Sequence, residues 1–151
     1  HLSIRRQRQM CIRDRIFRHY LDWNKITGYN LHLNSIWVNQ MFEHEYNPVH
    51  VHQGELFTGL SSVMILKLPE SFGVEYSSHD QPQNGKLQIL GSASGQFATI
   101  DYQPELKERH FYVFPYDMRH TVYPFNGPGM RRSLAANMDV AYDPIKNRGI
   151  T

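Results

Sequence analysis

Leu31-His32-Leu33-Asn34-Ser35-Ile36-Trp37-Val38-Asn39-Gln40-Met41 alternates two series of side chains: Leu31, Leu33, Ser35, Trp37, Asn39 and Met41 against His32, Asn34, Ile36, Val38 and Gln40. Successive side chains of a strand face opposite ways, so eleven residues of this kind read as one long β-strand. Outward from it, 57–68 (FTGLSSVMILKL) is rich in β-branched and apolar residues and stops at Pro69. Further strands are expected at 86–91, 95–102, 109–115, 120–125 and 131–142, separated by turn clusters such as SASG, QPELKE and NGPG. Upstream, Ile16, Tyr20 and Trp23 recur at helical spacing before Gly28, which reads as a short helix and its stop. About eight short strands with almost no helix predict a mainly β sandwich or barrel around one core.

The bulk numbers agree. A chain of 151 residues with 40% hydrophobic and 13% aromatic side chains suits one folded domain. It contains no apolar run of the length that crosses a membrane as a helix and no visible secretory signal. The formal charge of +2 is unevenly spread: residues 1–15 (HLSIRRQRQMCIRDR) carry +4, which leaves the other 136 at −2. That opening run resembles translated sequencing-adapter read-through at the end of a metagenomic fragment. Residues 1–15 are therefore set aside as non-native, the native N-terminus is expected to be truncated, and 16–151 are read as a single domain. The competing reading, a basic arm for nucleic acid or membrane, finds nothing downstream to support it. The single cysteine, Cys11, cannot form an internal disulfide, and cytoplasm is the default compartment.

Chemistry concentrates in Asn47-Pro48-Val49-His50-Val51-His52-Gln53-Gly54-Glu55. His50 and His52, two residues apart, would share a face of a strand. His120 follows in Phe114-Pro115-Tyr116-Asp117-Met118-Arg119-His120, and three imidazoles make three corners of a metal site with positions left open. Two exposed polar residues on an edge strand are the plain alternative for the pair, and HxH alone is a weak pattern. Glu55 could replace one imidazole as a carboxylate ligand, although a solvated loop charge is favoured for it. Asp117 reads as turn chemistry more readily than as a partner for a ligating ring. His19, His32, His44, His79 and His110 read as surface or loop residues, and Trp37, Tyr112 and Phe114 as core. Arg131 and Ser133 share a face at the start of the last strand. If that face is inward, the guanidinium is costly to bury unless it meets an anion.

The strings Ser35-Ile36-Trp37-Val38-Asn39, Glu45-Tyr46-Asn47-Pro48-Val49-His50-Val51-His52-Gln53-Gly54, Phe114 to Phe125 and Arg131-Arg132-Ser133-Leu134-Ala135-Ala136-Asn137 resemble the 2-oxoglutarate/Fe(II) oxygenases common in cyanophages and marine bacteria. The resemblance runs from about residue 28 to 141. It implies a double-stranded β-helix, or jelly roll, with Fe(II) at its mouth, and 2-oxoglutarate and O2 as cosubstrates of an oxygenase that hydroxylates an unknown substrate. It implies His50, His52 and His120 as metal ligands, with Arg131 on the far carboxylate of 2-oxoglutarate and Ser133 adding a hydrogen bond. Relatives of the wider superfamily carry HxD…H, so His52 stands where an aspartate is usual. The alternatives are a cupin that does not use 2-oxoglutarate, since His50-x-His52-xx-Glu55 and Pro115-x-Asp117-xx-His120 are loosely cupin-like, and a non-enzymatic jelly roll. Loops 69–85 and 102–109 are expected to border the mouth.

Overall fold

The computed structural model describes residues 14–76, 82–91 and 101–147. The segment 1–13 with Cys11, His79 and positions 95–100 of the strand expected at 95–102 lie outside the described residues. A helix covers 14–23, continuous across residues 15 and 16. Eight strands follow among the described residues: β1 (Asn30–Met41), β2 (Asn47–His50), β3 (Gly59–Lys67), β4 (Leu87–Leu90), β5 (Asp101–Tyr102), β6 (Phe111–Pro115), β7 (Arg119–Val122) and β8 (Arg131–Ala141). They build two four-stranded sheets, β1-β8-β3-β6 and β2-β7-β4-β5. Every pairing is antiparallel. The chain passes back and forth between the two sheets, which is the expected double-stranded β-helix with one short helix.

β8 lies between β1 and β3, and its inward series is Arg131, Ser133, Ala135, Asn137 and Asp139, all buried. Its outward residues Met138 and Val140 are buried as well, because the helix covers that end of the sheet. Phe17 and Leu21 of the helix pack with Leu60, Met138 and Val140, and Phe17 meets Phe111 edge-on at 6.3 Å. Each such fully buried side chain contributes about 1.5–3 kcal/mol. The buried stripe is one residue round from the expected one: Phe17 and Leu21 are its centre, Ile16 and Tyr20 flank it, and Trp23 is 79% exposed. Nor does Gly28 stop the helix. The amides of Lys25 and Ile26 bond back to the carbonyls of Asp22 and Leu21, and Lys25 takes φ 58°. That is a Schellman ending with a lysine in the left-handed position.

The alternation of β1 also changes meaning midway. Leu33 pairs with Met138 and Ser35 with Asn137, so Asn34 is an extra residue in a β-bulge. Leu31 and Leu33 therefore pack with the helix-covered cluster, whereas Trp37, Asn39 and Met41 look into the barrel. Between the sheets, Met41, Leu87, Val122 and Phe125 form a second apolar cluster beside Arg131.

The first part of the loop after β3 packs against the loop after β7. A Cβ on Gly73 would stand 2.0 Å from Asn126 Oδ1, and one on Gly127 would stand 2.1 Å from the Ser71 carbonyl oxygen. The two loops thus touch backbone to backbone, which ties 71–73 to the far end of β7. Among the described residues, neither 69–85 nor 102–109 contributes to the cavity that holds the histidines.

Candidate metal centre

His50 closes β2 and lies directly opposite His120 of β7 in the register. Cross-strand neighbours of this kind bring their side chains together without help from loops. His52 is two residues past the end of β2, where its amide donates to the Tyr116 carbonyl (3.0 Å). One potential ligand atom from each ring lies within 4.8 Å of the other two. The His52 and His120 Nε2 atoms are 3.1 Å apart. Two imidazole nitrogens in adjacent positions on one metal, each about 2.1 Å from it, stand about 3 Å apart, so this pair fits.

The rings are oriented by name. His50 Nδ1–H donates to the Pro48 carbonyl (2.7 Å), and His120 Nδ1–H donates to the Met118 carbonyl (3.0 Å). Both carbonyls belong to the residue two places back, and both leave Nε2 with its lone pair. His120 Nε2 then accepts from His52 Nε2–H, and His52 Nδ1 faces the side-chain amide nitrogen of Asn137 at 3.4 Å. Asn137 in turn accepts at Oδ1 from the Ser61 hydroxyl (2.8 Å). Phe114 and Trp37 flank the cluster, with ring centroids 4.7 Å from His120 and 5.7 Å from His52. Asp117 is exposed in the turn before β7, Glu55 is exposed, and neither joins the group of histidines. Tyr112 does not line the cavity and donates its hydroxyl to the Glu105 carbonyl (2.6 Å).

Burial, with the neighbouring His120 and His50 rings, lowers His52 to about 4, and burial likewise lowers His120. Both are therefore neutral, as ligands must be, at ordinary pH. An imidazole whose folded value is below its usual 6.5 takes up protons more readily when unfolded. Its contribution to stability is complete above 6.5 and is lost as pH falls toward 4. Chelator-treated protein should lose melting temperature over that window, and His52→Gln should lose less. Identical slopes would show that His52 is not responsible.

A latch holds the segment after His52. Buried Asp139 accepts from the amides of Glu55 (3.0 Å) and Leu56 (3.3 Å) and from the Tyr116 hydroxyl (2.9 Å). Burial and then Asp139 raise the Tyr116 hydroxyl well above its usual range, so it stays a donor. Gly54 is obligatory here, since a Cβ would fall 1.8 Å from Asp139 Oδ1. Tyr116→Phe removes one bond to a buried carboxylate, and a cost of about 1.5–3 kcal/mol is expected in a urea melt. An unchanged midpoint would mean that the latch does not need the hydroxyl.

Arg131 and Ser133 open β8 facing inward and line the same cavity of about 230 Å³ as His50, His52, His120, Trp37 and Asn39. Arg131 is 1% exposed. Among the described residues its Nε and Nη2 have no hydrogen-bond partner, and Nη1 reaches only the Met41 sulfur at 4.0 Å. Burial lowers it to about 10, which leaves it charged at neutral pH. No carboxylate among the described residues forms an ion pair with it. Arg132 points the other way and bonds Gln40. A cation with orphaned donors beside three imidazoles can accept an anionic ligand that also reaches a metal.

The fold and the three imidazoles make a jelly roll that could hold a metal ion. Residues 35–137 match the family described as "Putative 2OG-Fe(II) oxygenase", and the chain belongs to that family. Among solved structures, an oxidoreductase of the 2OG-Fe(II) oxygenase family from Burkholderia pseudomallei superposes with a TM-score of 0.58 at 14% identity, over 82% of this chain and 49% of that one. The likeness is one of fold, and the chain spans about half the length of that protein. No curated protein matches the chain. No helix among the described residues is long and apolar enough to cross a membrane.

The residues expected to bind are thus found together, while Asn137, Ser61, Tyr116 and Asp139 were not singled out for any role. Asn137 and Asp139 continue the inward series of Arg131 and Ser133, and that two-residue step was the available signal.

Proposed function

We propose that the protein is an Fe(II)- and 2-oxoglutarate-dependent oxygenase that hydroxylates a substrate still to be found. His50, His52 and His120 are its metal ligands. Arg131, with Ser133 beside it, holds the distal carboxylate of 2-oxoglutarate. The observation that carries this is the buried, charged, unpartnered Arg131 in the cavity of the three histidines. A cupin that does without 2-oxoglutarate has no use for such a side chain, since an uncompensated buried charge costs several kcal/mol.

With Fe(II) bound, the centre couples oxidative decarboxylation of 2-oxoglutarate, giving succinate and CO2, to insertion of the second oxygen atom of O2 into a substrate C–H bond. This chain's own residues do the positioning. Arg131 offers Nε and Nη2 to the two carboxylate oxygens, a forked donor matched to a planar acceptor. Leu87, Val122 and Val63 line the same cavity and limit water around that pair, which strengthens it. The Pro48 and Met118 carbonyls keep the His50 and His120 rings turned with Nε2 free.

The test is an anaerobic titration of Fe(II)-loaded protein with 2-oxoglutarate, followed by the visible charge-transfer band of the chelate. A saturable band supports the oxygenase. Bound iron with no band favours the cupin.

A further inference from the structure

His50 and His120 are each oriented by a backbone carbonyl two residues back, but His52 is not. Its Nδ1 meets a side chain from the opposite sheet, the amide of Asn137, which is itself held by Ser61. Asn137 and Ser61 are both buried, so neither partner is interchangeable with water. The amide presents its nitrogen to His52, which makes His52 Nδ1 an acceptor and places the ring proton on Nε2, where it is donated to His120. A metal on His52 Nε2 needs that nitrogen's lone pair, so the proton must then sit on Nδ1, and Nδ1–H needs an acceptor.

We infer that Asn137, backed by Ser61, is the positioning residue that sets the tautomer of His52 for the metal. Half a turn of the amide exchanges its oxygen and nitrogen in the same space, presenting Oδ1 to His52 Nδ1–H and the amino group to the Ser61 oxygen. A serine hydroxyl accepts as readily as it donates, so the change leaves the amide fully bonded. No proton is gained or lost in sum: one leaves Nε2 and one arrives at Nδ1. A carboxylate ligand would have no tautomer to set, so the pair serves the three-histidine arrangement. The inference rests on the three-histidine reading above.

The experiment uses Zn(II), a diamagnetic probe, with affinity read by chelator competition and ring protonation read from long-range proton–nitrogen NMR spectra of the imidazoles. In the wild-type protein the His52 proton is expected on Nε2 without Zn(II) and on Nδ1 with one equivalent. Asn137→Leu should weaken Zn(II) binding about 10- to 100-fold. Asn137→Asp should restore it, because a carboxylate accepts from Nδ1–H without turning, a rescue that a merely structural role does not predict. Ser61→Ala leaves Asn137 in place and carries the test if Asn137→Leu does not fold. Its expected loss is about fivefold, the share of one neutral hydrogen bond.

Wild-type affinity in Asn137→Leu, or in Ser61→Ala where that variant carries the test, would overturn the inference while leaving the metal site intact. So would a His52 proton that does not move to Nδ1 when Zn(II) binds. If wild-type protein takes up no stoichiometric Zn(II), or if His50→Ala and His120→Ala bind it as tightly as wild type, the three-histidine reading fails, and this inference with it.

Discussion

Arg131→Met is expected to abolish 2-oxoglutarate binding and, in the same protein, to raise the melting temperature. Truncating one partner of a buried charge pair costs roughly 2–5 kcal/mol of binding, a loss of at least about 30-fold. The charge-transfer band should therefore vanish at concentrations that saturate the wild type, with iron still bound. Stability moves the other way. Arg131 is 1% exposed, and among the described residues two guanidinium nitrogens have no hydrogen-bond partner and the third has the Met41 sulfur alone. Replacing buried charge by a well-packed apolar chain of similar length is often neutral or stabilising by about 1–4 kcal/mol. In a domain of this size that is about 2–4 °C for each kcal/mol. Met41, Leu87 and Val122 offer the methionine apolar neighbours. A lower melting temperature together with retained 2-oxoglutarate binding would remove Arg131 from the role proposed for it.

The second large effect is on iron. His50→Ala and His120→Ala should each weaken Fe(II) binding by roughly two to three orders of magnitude, the share of one ligand in the 10–16 kcal/mol of a four-ligand site. The β fold should survive both. His50 stands half-buried at the end of β2, and the sheets are held elsewhere by the clusters at Phe17–Met138 and Met41–Phe125. Iron content after desalting, read beside a far-ultraviolet circular dichroism spectrum, separates the two effects. Unchanged iron in both variants would sink the ligand assignment.

The architecture was largely legible because period-two patterning survives in single strands. β1, β3, β4, β6 and β8 fall within a residue or two of where alternation and turn clusters put them. The histidine set was legible for a related reason. His50 and His52 are close in sequence, and His120 stands beside an aromatic strand that had to lie somewhere against them. What was hidden depends on partners. The bulge at Asn34 leaves the alternation of β1 unbroken and changes only which core each half meets. The helix stripe was misplaced by one residue because Ile16 and Tyr20 are nearly as apolar as Phe17 and Leu21, and only the sheet beneath chooses between them. Short β2 carries the HxH motif but is too polar and too brief to show a period. The link from Ser61 through Asn137 to His52 joins three distant segments, and no pattern within any one of them points to the other two.

β8 behaves as a ruler. The clamp proposed for the cosubstrate tail, the amide that faces His52 and the carboxylate of the loop latch stand on one strand as Arg131, Asn137 and Asp139. Arg131 and Asn137 are six residues apart, on the order of 20 Å along a strand. The interval between the two ends of the site is therefore stored as a residue count, not as a set of contacts. Point substitutions leave that count alone, and the site can be retuned through them one position at a time. A one-residue insertion or deletion within β8 turns part of the series to the other face. Lineages carrying this centre should vary at the other positions of β8 far more readily than in its length between these two residues.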